Sequence, residues 1–333
     1  MVEIVSRPYA RAFEAFASQR PEVLCLSADL TSSCEVDGFR DRYPDQFVTL
    51  GMAEQAMLSF AGGLAMQGYR PFIHTFAVFL YRRPYDQLIN SIAYSNRKVR
   101  LMGFLPGITT PGGITHQAIE DIAVMRAIPN MTVLETGDAT EVETVLGVAD
   151  EIDGPVYVRI LRGEVPRLFS SPFAFNRLRT LSEGEDVLVL TSGVCTEEAL
   201  RALGPLGERG VSIHHAHVST LKPFDRDGFL RAAKGKKGIV TLENHVINGG
   251  LGSLVAEIIA EEGLALRLKR LGLRDTFAHG ASKPYLMRKY GLDALALTQA
   301  VGTVLGRELD IGEDELTTVR LDLVHSEHKA EAL

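Results

Sequence analysis

The chain is poor in cysteine, with three in 333 residues: Cys25, Cys34 and Cys195. Few, odd in number and widely spaced, they outline neither a disulfide framework nor a metal-ligand pattern, and they suit a reducing cytoplasm. Positive charge is also scarce. Lysine and arginine number 35 against 42 acidic residues, a net charge of −7. That balance argues against an electrostatic nucleic-acid binder. No uncharged apolar run reaches about 18 residues, so no membrane span is expected. The opening stretch Met1-Val2-Glu3-Ile4-Val5-Ser6-Arg7 lacks the charged-then-apolar order of a signal peptide. A cytoplasmic location is the resulting expectation.

Hydrophobic residues make up 46% of the chain, enough for full globular cores. At roughly 100–200 residues per domain, the length suggests two domains. Short apolar runs alternate with longer amphipathic segments. Val23–Leu26, Phe47–Leu50, Pro71–Thr75, Val99–Gly103, Met131–Glu135 and Pro155–Ile160 read as strands. Ser6 is placed to cap a helix burying Tyr9, Phe13 and Phe16. Helices are expected over Ala53–Met66, Phe79–Tyr94, Gln117–Ala127 and, capped by Asp138, to about Val148. Strands separated by helices imply a mostly parallel sheet covered on both faces.

A break at Pro166–Pro172 precedes a restart of the same pattern. Val187–Thr191, Val211–His214, Gly238–Leu242 and Leu266–Leu271 read as strands. Helices begin at Thr196 and at the Gly249–Gly252 string, and a last one is capped by Asp293 and closed by Gly306. The expected fold is α/β, two doubly wound domains. The first spans 1–170, a linker 171–184, the second domain 185–307, and a charged extension 308–333.

Three clusters in the first domain could carry chemistry. In Gly51-Met52-Ala53-Glu54-Gln55, Glu54 stands where a strand gives way to a helix. An acid there gains about 0.3–1 kcal/mol from the helix dipole, which alone would explain it. It is also where parallel sheets place ligands. Phe76 and Phe79 lie about one turn apart; they are either core or a stacking surface for a flat heteroaromatic. His116 follows the Gly-rich loop Gly107–Gly113 and opens the expected helix, as a structural residue or a proton carrier. In the second domain, the spacing of His215 and His217 on a strand favours packing over zinc binding, and a glycine-rich helix start such as Gly249–Gly252 favours close backbone approach.

Taken in order, these strings resemble the transketolase family of thiamine diphosphate enzymes. The resemblance is carried by Ser27-Ala28-Asp29-Leu30-Thr31, Gly51–Gln55, Thr75-Phe76, Arg82, Asp86-Gln87, Thr115-His116-Gln117, Glu120–Ala123 and Met125–Met131. In the second domain it continues through Leu221-Lys222-Pro223, Glu243-Asn244-His245, Gly249–Gly252 and Ser282-Lys283-Pro284. It covers about residues 5–305 and matches the C-terminal half of a full-length member. The fold it implies is a thiamine-diphosphate-binding pyrimidine domain followed by the transketolase C-terminal domain.

The resemblance implies that Glu54 hydrogen-bonds the cofactor's aminopyrimidine nitrogen and so promotes its activation. Phe76 and Phe79 would line that pocket. Arg82 matches an arginine near it, with one residue extra before Asp86-Gln87, so a surface or salt-bridge role stays open. His116 would assist proton transfer at the substrate. Arg7, Ser33 and Arg162 fall on positions that hold a substrate phosphate, and Asp29 on the site's edge, where capping the next turn would explain it equally. The Gly-Asp-Gly…Asn element that holds Mg2+ and diphosphate is absent from the sequence. The chain therefore reads as one subunit of a split enzyme. A diphosphate-binding N-terminal partner would bring the magnesium ligands, in a dimer of heterodimers.

Two departures bear on the substrate. Gly103-Phe104-Leu105-Pro106 stands where many members carry a phosphate-binding histidine. Thr110-Pro111-Gly112-Gly113 stands where they carry a hydroxyl-reading aspartate. The expectation is ketol transfer with an altered donor or acceptor: a sugar or sugar phosphate, a 2-oxo acid or a specialised metabolite. The rival readings are the β subunit of a 2-oxo acid decarboxylase component and a noncatalytic partner subunit.

Overall fold

The computed structural model describes residues 2–317; the expected extension beyond 317 lies outside the described residues. Two α/β units are built on separate sheets. The first sheet has seven strands in the order Thr220–Lys222, Thr132–Glu135, Val156–Ile160, Arg100–Phe104, Arg70–Phe76, Val23–Ser27, Phe47–Thr49. All pairings are parallel except that of Thr220–Lys222. Strands Val23–Ser27, Arg100–Phe104 and Val156–Ile160 are buried along their whole length. That is the signature of a parallel sheet covered on both faces.

The second sheet runs Arg267–Leu273, Gly238–Val246, Val187–Thr191, Ile213–Val218, Leu178–Ser182, with only the last pair antiparallel. The units are not independent. Strand Thr220–Lys222 follows the second sheet's Ile213–Val218, yet it pairs with Thr132–Glu135 of the first.

Helix capping follows the sequence in places and departs from it in others. The Asp138 carboxylate accepts from Glu141 N–H and opens helix Ala139–Glu151. Asp293 does the same for Ala294–Leu305, which Gly306 ends at φ 71°. Ser6 is no cap. It belongs to strand Ile4–Ser6, paired with Glu164–Pro166, and Arg7 takes the cap position at φ 48°. Pro8 then starts the helix without needing a partner for an N–H. Tyr9 and Phe13 are fully buried, and Phe16 only half.

The expected helix 79–94 is broken. A 3₁₀ turn Ala77–Leu80 is followed, after Pro84, by a short helix Tyr85–Gln87 and a π-helical stretch Leu88–Ala93. Pro84 cannot continue a helix across its own ring. The expected helix from Gln117 begins only at Asp121. The carbonyls of Gln117, Ala118 and Ile119 go to tertiary partners instead: they accept from Arg82, from Gly107 N–H and from Val246 N–H. Among the described residues no helix is long and apolar enough to cross a membrane.

Candidate active site

Because the strands of the first sheet run parallel, their C-terminal ends share one edge, where such sheets bind ligands. The candidate residues fall just past those ends. Asp29–Glu35 follow Val23–Ser27, and Glu54 follows Phe47–Thr49. Phe76 ends strand Arg70–Phe76 and Phe79–Arg83 follow it, His116 follows Arg100–Phe104, and Arg162 follows Val156–Ile160.

Glu54 is the first residue of helix Glu54–Met66 and is 4% exposed. Gly51 at φ 67° makes the reversal that delivers it from the strand. Its Oε1 accepts from Arg83 Nη1 at 2.7 Å, and no other hydrogen bond reaches the carboxyl among the described residues. The Arg83 guanidinium lies 4.2 Å from the centroid of the Phe79 ring. Phe79 in turn stacks with Phe76, centroids 6.0 Å apart at 22°. His116 stands edge-on to both rings, at 5.7 Å from Phe79 and 6.0 Å from Phe76. Glu54, Arg83, Phe79, Phe76 and His116 thus form one continuous patch: a carboxylate, two near-parallel aromatic faces and an imidazole.

His116 does not open a helix. It closes the 3₁₀ turn Gly113–Thr115, and its Nδ1 is 2.8 Å from Thr115 Oγ1. That hydroxyl also donates to Gly112 C=O at 3.3 Å. A hydroxyl that donates its single proton there must accept from Nδ1–H, which leaves Nε2 free to take a proton. A side chain at Gly112 would press on the imidazole, its Cβ 3.0 Å from the ring.

Sequence reasoning passed over Arg83. Arg82 spends its guanidinium on the His116 loop: both nitrogens of its fork bond Glu120, at 2.6 and 2.7 Å, and it donates to the carbonyls of Ile114 and Gln117 at 2.8 and 3.0 Å. Burial would lower its pKa, but the Glu120 carboxylate outweighs burial and raises it. The signal for Arg83 was present, in the one extra residue before Asp86-Gln87.

Arg7, Ser33 and Arg162 come together around a residue the sequence did not single out, Glu35. Arg162 donates to Ser33 C=O at 2.9 Å, and Arg7 N–H to Gly163 C=O at 2.8 Å. Glu35 Oε1 accepts from Gly163 N–H at 2.6 Å, and the residue is 3% exposed. Burial raises the Glu35 pKa, against the opposing pull of the Gly163 bond and of Arg7 and Arg162. Burial likewise lowers that of Arg162. The Arg7 side chain also pairs with Asp37. This cluster is therefore not simply cationic. Asp29 lies exposed beside it in sequence, at φ 64°.

In the second unit the histidines are engaged within the chain. His215 Nε2 meets Thr191 Oγ1 at 2.8 Å; His217 bonds Thr196 through Nδ1 at 2.6 Å and Glu141 through Nε2 at 3.0 Å. Among the described residues no three His, Cys, Asp or Glu side chains are grouped to hold a metal ion. The glycine-rich helix start is filled from inside: Glu243 accepts from Leu251 and Gly252 N–H at 2.7 and 2.9 Å. A Cβ on Gly250 would lie 1.9 Å from that carboxylate.

An α/β pair with this edge, carboxylate and aromatic stack agrees with the sequence patterns it matches. Residues 5–167 match the transketolase pyrimidine binding domain and residues 176–297 the transketolase C-terminal domain. The chain belongs to the transketolase family. It is 37% identical over 296 residues to the 6-deoxy-6-sulfo-D-fructose transketolase subunit SqwH of Clostridium sp. (strain MSTE9), covering 88% of this chain and 92% of that one. It is 32% identical over 277 residues to a subunit of the apulose-4-phosphate transketolase of Actinobacillus succinogenes, covering 82% and 89%. Among solved structures it resembles a split gene transketolase described as an inactive beta4 tetramer, with TM-score 0.81, 35% identity, and coverage of 90% of this chain and 97% of that one.

Proposed function

We propose that the chain is the C-terminal subunit of a two-chain, thiamine-diphosphate-dependent transketolase that moves a two-carbon ketol unit from a ketose to an aldehyde. Two of its relatives are transketolase subunits by name, and membership of the family supports a dependence on thiamine diphosphate. The residues fit the heteroaromatic end of that cofactor. Phe76 and Phe79 offer flat faces, and Glu54 has a carboxylate oxygen left over after Arg83 has taken the other. The cofactor, when bound, supplies the electron sink that lets a carbon–carbon bond break next to a carbonyl.

This chain's residues would do the rest. Glu54 holds or shares a proton at the aminopyrimidine ring nitrogen. Arg83 fixes the carboxyl's orientation. His116, with Nδ1–H committed to Thr115, uses Nε2 to take or return a proton at the substrate hydroxyl. Arg82 acts on the His116 loop rather than on the cofactor. Arg7, Ser33 and Arg162 hold the far end of the substrate, with Asp29 at the rim; Glu35 among them offsets part of the positive charge and favours a hydroxyl or singly charged group over a phosphate dianion. The magnesium and diphosphate contacts belong to a partner chain, in a dimer of heterodimers located in the cytoplasm, where the three buried thiols stay reduced.

The observation that carries the reading is the buried Glu54 carboxylate joined through Arg83 and Phe79 to His116. Its test is Glu54→Gln in the complex purified with its native partner. Ketose cleavage should fall about 10²–10⁴-fold while assembly is kept. An unchanged rate, or an assembled complex that decarboxylates 2-oxo acids and leaves ketoses intact, would refute it.

A further inference from the structure

The loop that carries His116 is closed into a ring at its neck. It leaves strand Arg100–Phe104 and returns at helix Asp121–Ala127. Between them Pro106 pairs with Ala118, and Gly107 N–H donates to Ala118 C=O at 2.7 Å. Ile108 N–H at this neck has no partner within the loop, and Pro106 C=O has only the Thr109 hydroxyl at 2.8 Å; one side chain of the second unit reaches both. Asn244, 1% exposed, accepts from Ile108 N–H at 2.9 Å and donates to Pro106 C=O at 3.1 Å. Gly107 makes room for it: a Cβ there would lie 2.2 Å from the amide. Around this point Val246 N–H donates to Ile119 C=O at 2.8 Å, and Arg159 donates to the carbonyls of Asn244 and Ala118 at 3.0 and 3.3 Å.

We infer that Asn244 is a positioning residue for the transfer reaction. The second unit also meets the ring through Val246 N–H, which donates to Ile119 C=O, and through His279 C=O, which accepts from Gln117 Nε2, and this side chain, at the neck, sets the height and tilt of the ring that presents His116 to the substrate. This role rests on the one proposed for His116. The amide oxygen is the indispensable half, because the buried Ile108 N–H has no other acceptor, while the amide N–H adds a second bond to a carbonyl that Thr109 already reaches. An imidazole displaced by about 1 Å from a reacting hydroxyl can lose about 10²-fold in rate. The loss falls on kcat, because the rings of Phe76 and Phe79 and the Arg162 cluster do not depend on the neck.

The experiment compares Asn244→Ala, His116→Ala and the double variant in the assembled complex, together with hydrogen exchange of the isolated chain. Asn244→Ala should lower kcat about 10–100-fold, with KM and cofactor affinity within about threefold of wild type, and should add less than about twofold in the His116→Ala background. Asn244→Asp, which keeps the acceptor for Ile108 and loses the donor to Pro106, should fall between. In the isolated chain, amides of 105–120 should exchange faster in Asn244→Ala, with those of strand Arg100–Phe104 unchanged. If His116→Ala is crippled but Asn244→Ala multiplies the loss equally in both backgrounds, the role of His116 stands and the positioning role is wrong. If His116→Ala keeps the full rate, the functional assignment of His116 fails and takes this inference with it. Unaltered exchange in 105–120 overturns the inference whatever the kinetics.

Discussion

Replacing Arg159 by methionine should cost this protein about 3–5 kcal/mol. The guanidinium is fully buried on strand Val156–Ile160. It bonds Asp121 through Nε at 2.8 Å and Glu135 through Nη1, and Asp121 also accepts from Tyr157 Oη at 2.6 Å. Burial alone would lower the arginine's pKa; Asp121 first, then Glu135, overcome that and hold it above its ordinary value. Methionine fills much of the volume but leaves two carboxylates in the interior with no cation. Removing one partner of a buried ion pair strands the other, and that uncompensated charge is the source of the cost. At roughly 2–4 °C per kcal/mol for units of this size, the melting midpoint should drop by about 10 °C. A second step separates lost charge pairing from lost packing. Adding Asp121→Asn and Glu135→Gln removes both stranded charges with little change in shape, so the triple variant should regain at least half the loss. The assay is a thermal melt of the chain followed by circular dichroism. An Arg159→Met midpoint within about 2 °C of wild type, or a triple variant melting below the single one, would refute the reasoning.

Stability should rise with pH and level off near about pH 7. Burial lowers the pKa of His74 and His215 to about 3 and of His245 to about 4. Unfolded histidines therefore bind protons that the folded ones refuse, and stability is lost as pH falls below 6.5, at up to about 1.4 kcal/mol per pH unit for each. Burial raises Glu243 to about 7, so its folded form holds a proton that the unfolded form releases, and its contribution to stability declines as pH rises from about 4.5 through 7. Three histidines outweigh one glutamate up to about pH 7 and the opposing slopes nearly cancel above it, so urea midpoints across pH 4.5–8 should climb steeply at first and then level off. Glu243→Gln removes the opposing titration and should steepen the rise between about pH 5 and 7.5; a flat profile in acid would count against the buried histidines. Gly62→Ala should destabilise although alanine favours helix by about 1 kcal/mol, because its Cβ would lie 2.4 Å from Ser91 C=O; a raised urea midpoint would show that the two helices part freely. Arg82→Lys replaces a fork that binds Glu120 twice and two carbonyls with a single ammonium. Activity of the assembled complex should fall about tenfold, from about 1–2 kcal/mol of lost charge-assisted bonding; wild-type kcat in that variant would show the loop is held elsewhere.

The parallel strands were legible because burial on both faces writes short apolar runs such as Val187–Thr191 directly into the chain. Asp138, Asp293 and Gly306 were legible because a cap acts within a few residues of itself. What escaped depends on distant partners. Ser6 looks like a cap, but pairing with residues 164–166 draws it into a strand. Gln117–Ile119 have helical spacing, but Arg82, Gly107 and, from the second unit, Val246 claim their carbonyls. Glu54, Phe76, Phe79 and His116 were picked from order and resemblance, and the fold places them in one patch. Arg83 and Glu35 were missed because an arginine beside another arginine, and an acid in a loop, look like surface residues until the groups they face are known.

Strand Thr220–Lys222 has a consequence for how this chain can be divided. It sits against Thr132–Glu135, whose residues are all buried and which would otherwise be the outermost strand of the first sheet. The stretch expected as a linker, 171–184, holds strand Leu178–Ser182 of the second sheet, and a fragment ending near residue 170 would leave the amides and carbonyls of Thr132–Glu135 bare, a template for pairing with any other extended chain. The two units can therefore be separated on paper but not in a test tube without an aggregation hazard.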